Sequence, residues 1–318
     1  MLYFLPPPQY AVTVIGPAAD VASFNEDGLI AGLRGHVAFV VQNGQNTWSA
    51  DGYTLIAGPN AKGQVALVGA GGLAEWSNGK VEPCTDIASF GGMAKLGNIP
   101  DQLLGITDDG TILGLAHGLD HVFALIQSPA PPQPRPLLGF MPLAMSADGK
   151  LAGSSGFGSP AANPSAFLDS TPLDPPSADG KTLPRLHPSA VARDGTVIGW
   201  QFNGDSHVAF QWKDGKLTFL HRPPEGDDDE PLAMNTKGQM LVITRQQYLV
   251  DADNWSTREA IEVWSGDSAS TNLSDGTALP NGWILTQPFA INDAGLILAN
   301  ASRPDEPGES LVVLKPSK

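Results

Sequence analysis

Arg245, Tyr248, Asp251, Asp253, Trp255 and Arg258 crowd into one short stretch of a chain otherwise built from small and aliphatic residues. Aromatic rings offer flat apolar faces with polar tips. Carboxylates accept hydrogen bonds and guanidinium groups donate them, so the mixture suits a sugar or a peptide. The same groups also admit an enzyme, a lyase or hydrolase, with carboxylates or tyrosine as acid and base and arginine stabilising charge. Trp200, Phe202 and Asp205, beside the Asn203–Ser206 connection, belong to the same candidate ligand-binding set. Binding is the favoured reading. A binding module needs only exposed aromatics and hydrogen-bonding groups, whereas these stretches hold no histidine except His207 at their edge.

Standard catalytic signatures are missing. Gly153-Ser154-Ser155-Gly156 fails the spacing of a nucleophile elbow. Asp179-Gly180-Lys181-Thr182 lacks the upstream glycine of a phosphate loop. Asp251-Ala252-Asp253-Asn254 begins like a calcium loop, but Trp255 stands where a ligand is wanted. No cofactor and no metal is expected on these grounds, and no catalytic residue is assigned. His36, His121 and His207 share one position of a repeated unit, at the start of a strand, where a structural role is expected. The acidic run Asp227-Asp228-Asp229-Glu230 reads as a solvated surface, with cation binding the sharper alternative.

The elements that must position these groups come from a degenerate repeat. Seven segments align on Gly28, Gly63, Gly110, Gly149, Gly195, Gly238 and Gly295. Their mean spacing of about 45 residues matches a four-stranded propeller blade. Three positions before the glycine stands Asn25, Asn60, Thr107, Ser146, Ala192, Asn235 or Asn292, mostly short polar side chains that bond their own backbone in turns. Five before it stands a small residue: Ser23, Gly58, Gly105, Ala144, Ala190, Ala233 or Ala290. This predicts a strand facing a crowded place, as around a propeller axis. Each unit continues as turn, second strand and third strand (His207 to Trp212 in copy five). Lys216–Pro223 shows the fourth, outer strand best.

The expected fold is therefore all-β: a single seven-bladed β-propeller of four-stranded blades over residues 1–318. Copy seven ends without a fourth strand, and the N-terminal strand, read at Leu2-Tyr3-Phe4-Leu5-Pro6, is expected to pair into the last blade and close the ring. The connection between second and third strands is short in copies one and two. It lengthens in copy six, from Arg245 to Glu259, and includes Arg303, Asp305, Glu306 and Glu309 in copy seven. Such loops share a face with those joining consecutive blades, and function commonly sits there.

Asn292-Asp293-Ala294-Gly295 with its flanks, and Ser206-His207-Val208-Ala209-Phe210-Gln211-Trp212-Lys213-Asp214-Gly215, resemble the HAF family of bacterial repeats. That pattern runs Ala-Ile-Asn-x-x-Gly-x-Ile-x-Gly, then His-Ala-Phe-Leu-Trp, then a glycine turn. Copies two, six and seven lack the histidine. The resemblance implies the propeller fold and an exported protein, and it implies no reaction.

Eighteen basic against 33 acidic residues give a net charge of −15, a field that repels nucleic acid and anionic membranes. Aliphatic runs are far too short for a membrane helix, so membrane insertion is not expected. Cys84 is the only cysteine, which excludes an intrachain disulfide. The segment Met1–Pro8 lacks the basic and long apolar regions of a signal peptide. A secreted or periplasmic protein with its leader removed is expected, the alternative being a cytoplasmic one. The expected partner of this monomer is a glycan, peptide or protein.

Overall fold

Every copy of the repeated segment closes a hairpin with the same two backbone bonds. The residue three before the glycine accepts the glycine N–H. It donates its own N–H to the carbonyl just past the glycine, from Asn25, Gly28 and Leu29 through to Asn292, Gly295 and Leu296. The glycines take φ from 74° to 96°, the left-handed backbone this turn requires. Asn25, Asn60, Asn235 and Asn292 each accept two further N–H groups on Oδ1, two and four residues on. Thr107 and Ser146 accept one on the hydroxyl, four residues on. Ala192 has no such oxygen, and Asp194 takes the Thr196 N–H in its place.

The turn asparagines also reach outward. Nδ2 of Asn25, Asn60 and Asn235 donates to the carbonyl of Asn60, Thr107 and Asn292, the equivalent residue of the next copy. This explains why these polar side chains are buried.

The computed structural model describes residues 10–84, 102–117, 122–127, 135–136, 141–154, 166–169, 171–173, 185–203, 206–220, 227–251, 254–266, 270–274 and 278–317. They form seven antiparallel four-stranded units. Sheet one is Val21–Phe24, Ile30–Arg34, Val37–Gln42 and Gln45–Ala50. Sheet two is Tyr53–Ala57, Val65–Gly69, Gly72–Ser77 and Lys80–Pro83. Sheet three is Gln102–Ile106, Thr111–His117, Val122–Gln127 and Arg135–Pro136. Sheet four is Met141–Met145, Leu151–Ser154, Ala166–Leu168 and Thr171–Pro172. Sheet five is Arg185–Val191, Val197–Asn203, Ser206–Lys213 and Lys216–Phe219. Sheet six is Asp228–Met234, Gln239–Asp251, Asn254–Ser265 and Ser270–Asn272. Sheet seven is Ile284–Ile291, Ile297–Arg303 and Glu306–Pro316, with Tyr10–Pro17 as its fourth strand. A parallel bridge from His207 to Asp228 makes sheets five and six one continuous ladder.

Apolar packing runs between sheets. Leu29, Ala31 and Val40 of the first copy pack with Val65, Leu67 and Trp76 of the second. Comparable clusters join each later pair, and Ala22, Phe24 and Phe39 of sheet one pack with Leu298 and Leu311 of sheet seven. At two of the small positions five before the glycine the cause is visible. A Cβ added at Gly58 would come within 2.7 Å of Ile106, and one at Gly105 within 2.7 Å of Met145. The crowding there comes from the first strand of the neighbouring sheet, joined at Gly58 by the Gln64 carbonyl of its own hairpin.

Three expectations shift. The fourth strand of sheet seven is Tyr10–Pro17, pairing Tyr10 with Pro316, Val12 with Leu314 and Val14 with Val312. Its alternating aromatic and β-branched residues bury Tyr10 against the core, whereas Leu2–Pro6 lies outside the described residues. Arg245–Glu259 is not a loop. The ladder runs on from Gln239 with Ser265 to Leu249 with Trp255, so the two strands project as a ribbon. In copy seven Arg303 pairs directly with Glu306, another hairpin where a loop was expected. Among the described residues no helix is long and apolar enough to cross a membrane.

Candidate functional site

The acidic run opens the first strand of sheet six, where side chains alternate between faces. Asp228 and Glu230 therefore share one face, half-buried, while Asp227 and Asp229 turn the other way and are buried. The run is thus not a solvated surface. Asp227 Oδ1 accepts the Gln247 N–H at 2.7 Å, tying the base of the ribbon to this strand.

His207 is the second residue of the third strand of sheet five. Its backbone N–H donates to Asp228 Oδ1 at 2.7 Å. Its Nδ1 lies 2.6 Å from Glu230 Oε1 and 3.5 Å from Asp228 Oδ1. Arg245 completes the polar line, with Nη1 2.8 Å from Glu230 Oε2 and Nε 2.9 Å from Glu259 Oε2. Strand register dictates this arrangement, because Asp228 faces Arg245 and Arg245 faces Glu259 across adjacent strands. Burial by itself would ease the proton off Arg245, but the Glu230 and Glu259 carboxylates outweigh it and raise its pKa.

An aromatic stack adjoins the polar line. Trp200 lies between two imidazoles, 4.5 Å from His187 at an interplanar angle of 12° and 4.1 Å from His207 at 29°. Phe202 faces His207 across the ladder, 5.8 Å away and tilted, with 49% of its surface exposed. Burial pushes the His187 pKa down, opposed by the nearby Glu230 carboxylate. Beyond this floor the ribbon carries Tyr248, Leu249 and Val250, exposed by 49%, 52% and 60%. The site can thus offer hydrogen-bond acceptors, a fixed cation and open apolar surface at once.

No protein-family model and no curated protein matches the chain. Solved structures do. The chain is similar to a puromycin-hydrolyzing peptidase of Mycobacterium tuberculosis, at 12% identity and a TM-score of 0.50, over 98% of this chain and 55% of that one. It spans about half the length of that protein, and the likeness concerns the fold alone. A weaker similarity, with a TM-score of 0.36 and 12% identity, covers 95% of this chain and 39% of the extracellular domain of BT4673 from B. thetaiotaomicron, a protein assigned as a one component system.

Of the residues singled out by type and spacing, Arg245, Trp200 and Phe202 meet at this seam. Tyr248 and Arg258 stand exposed farther along the ribbon. Asp251 and Trp255 lie in its two strands, where only their backbone is described, and Asp253 and Asp205 lie outside the described residues. Sequence reasoning missed His187 and Glu259, gave His207 a structural role, and read Asp228 and Glu230 as part of a solvated acidic run with cation binding as the alternative. One signal was available: acidic residues two apart at the head of a strand share a face.

Proposed function

We propose that the seven sheets are the blades of one closed seven-bladed β-propeller, and that it works as a binding module. Its ligand is a peptide or a segment of another protein, held over the seam of sheets five and six. Closure is supported by contacts that repeat from sheet to sheet. Ala61 and Thr236 N–H donate to the carboxylates of Asp108 and Asp293 in the following turns, and Asp293 N–H donates in the same way to Glu26 of the first. Asn300 of sheet seven exchanges two hydrogen bonds with the Ala19 backbone ahead of sheet one.

The observation that carries the binding reading is the ribbon. Its Tyr248, Leu249 and Val250 are open to solvent on the strand that also carries the ion-paired Arg245. Exposed aliphatic side chains favour a protein or peptide over a glycan, since apolar patches of this kind commonly mark association surfaces. The HAF-like motifs support export to the periplasm or the cell exterior. The similar peptidase brings no activity with it at this identity. The contact of His207 with Glu230 favours a second reading, a hydrolase or lyase that uses an imidazole and a carboxylate as its acid–base pair.

The test is capture on peptide and glycan arrays by the intact protein and by a variant with residues 246–257 replaced by a Gly-Ser turn. Peptides retained by the first and lost by the second are expected. Retention of glycans alone, equal retention by both proteins, or turnover of a retained peptide would each overturn the reading.

A further inference from the structure

We propose that His207, Asp228 and Glu230 form a binding site for one divalent transition-metal ion, zinc or manganese, at the seam of sheets five and six. The site lies at the start of the first strand of sheet six, at the end opposite the Asn235–Gly238 turn. It does not depend on the peptide-binding reading, because an ion can be held there whether or not a ligand docks above it.

The three residues each offer one ligand atom, and these atoms all lie within 4.8 Å of one another. Zinc binds imidazole nitrogen and carboxylate oxygen at about 2.0–2.2 Å, which sets neighbouring tetrahedral ligands roughly 3.3–3.5 Å apart. His207 Nδ1 and Asp228 Oδ1 already stand 3.5 Å apart. Glu230 Oε1, at 2.6 Å from the imidazole, has only to swing back by under about 1 Å, a small rotation of its terminal torsion.

The surroundings hold the ligands as metal sites require. Asp228 and Glu230 project from one face of a laddered strand. The His207 backbone N–H donates to Asp228 Oδ1 and fixes the carboxylate, and the second lone pair of that oxygen stays open to an ion. Arg245 takes Glu230 Oε2 and leaves Oε1 directed at the imidazole, while Glu259 anchors Arg245 from behind. The Trp200 ring against His207 limits how the imidazole can turn.

Charge favours a cation as well. Among the described residues of the polar line, Asp228, Glu230 and Glu259 stand with one guanidinium, that of Arg245, so carboxylates exceed fixed cations there. The donor set selects the ion. One nitrogen and two carboxylates, with room for solvent or a ligand group, suit zinc or manganese. Calcium takes six to eight oxygens, and magnesium keeps a nearly complete oxygen octahedron. The competing account is a plain ion pair that seals the seam.

The experiment uses the full chain without an affinity tag, stripped with a chelator and dialysed. Zinc, manganese and calcium are titrated separately by calorimetry. Cobalt is added as a spectroscopic stand-in, whose visible absorption reports nitrogen and oxygen ligation. One equivalent of zinc or manganese should bind at about micromolar strength or tighter, with calcium at least tenfold weaker. His207→Gln, Asp228→Asn and Glu230→Gln should each weaken binding at least tenfold, and Arg245→Gln, which alters only the support, by about tenfold. His36→Gln, an exposed histidine on sheet one, should change nothing. Circular dichroism and melting curves identify any variant that misfolds, and the remaining ones decide. Absence of binding by the intact protein at 100 μM zinc and manganese (roughly a hundredfold above the expected dissociation constant) would overturn the proposal. So would binding that all the folded substitutions leave intact, the behaviour of diffuse attraction to an acidic surface.

Discussion

Trp200 is gripped between His187 and His207, and the two imidazoles sit in different electrical settings. His207 faces carboxylates, whereas His187 is held by burial against the indole with its pKa pushed down. A histidine whose folded pKa lies below its unfolded value of about 6.5 contributes stability above that pH. The contribution is lost as the pH falls through 6.5 toward the folded value, because the unfolded chain takes up the proton first. His187→Phe keeps a flat ring against Trp200 and removes the titration. The urea midpoint of the unsubstituted protein should therefore drop further between pH 7.5 and pH 5.5 than that of the variant. Equal drops would mean that His187 charges as freely in the fold as out of it. The role of this residue was hidden in the sequence, since its partner Trp200 lies on the neighbouring strand and nothing in its own flanks marks it as buried.

At the scale of the element, the turn shows how a local rule tolerates drift. Asn235 accepts the N–H groups of Lys237 and Gln239 and donates to Gln239 Oε1 and to the Asn292 carbonyl. Asn235→Ala removes all four of these bonds and leaves the half-buried Gln239 N–H without its partner, so a loss of about 2–3 kcal/mol is expected in chemical denaturation. Copy five survives with Ala192 because Asp194, two residues on, takes the Thr196 N–H. Burial works to raise the Asp194 pKa, but that N–H and Lys213 outweigh it and hold the carboxyl down to about 2. Adding Lys237→Asp to Asn235→Ala should accordingly recover part of the loss. A double variant no more stable than the single one would show that the alanine turn depends on something else in copy five. These turns were legible because an asparagine and a glycine three apart act on their own backbone. The ribbon was not. Residues 246–250 are exposed on both faces, so no buried side imposes the alternation that marks a strand, and the backbone ladder forms without it.

For the whole molecule, the last sheet draws strands from both ends of the chain. Tyr10–Pro17 covers Val312 and Leu314, and Tyr10 enters the cluster that also holds Leu285 and Ile297. Deleting residues 1–17 strips this cover and bares a sheet edge. Uncovering two or three large apolar side chains costs about 1.5–3 kcal/mol each, and an open edge invites pairing between molecules. The shortened chain should melt well below the full one and associate, as read by calorimetry and light scattering. Melting within a degree or two of the full chain would show that this strand adds little to the last sheet.

The amino-acid sequence by itself determined the count of repeated units, the turn at the head of each, the need for a small residue before it and the all-β class. Each of these follows from interactions spanning a few residues, or from a pattern repeated often enough to average out drift. Tertiary structure decided the rest. It brought His187, Trp200 and His207 of sheet five against Asp228, Glu230, Arg245 and Glu259 of sheet six. It chose Tyr10–Pro17 as the partner of the last strand. Both outcomes depend on which strand edges and faces meet across long stretches of chain, and no periodicity along a single strand encodes that meeting.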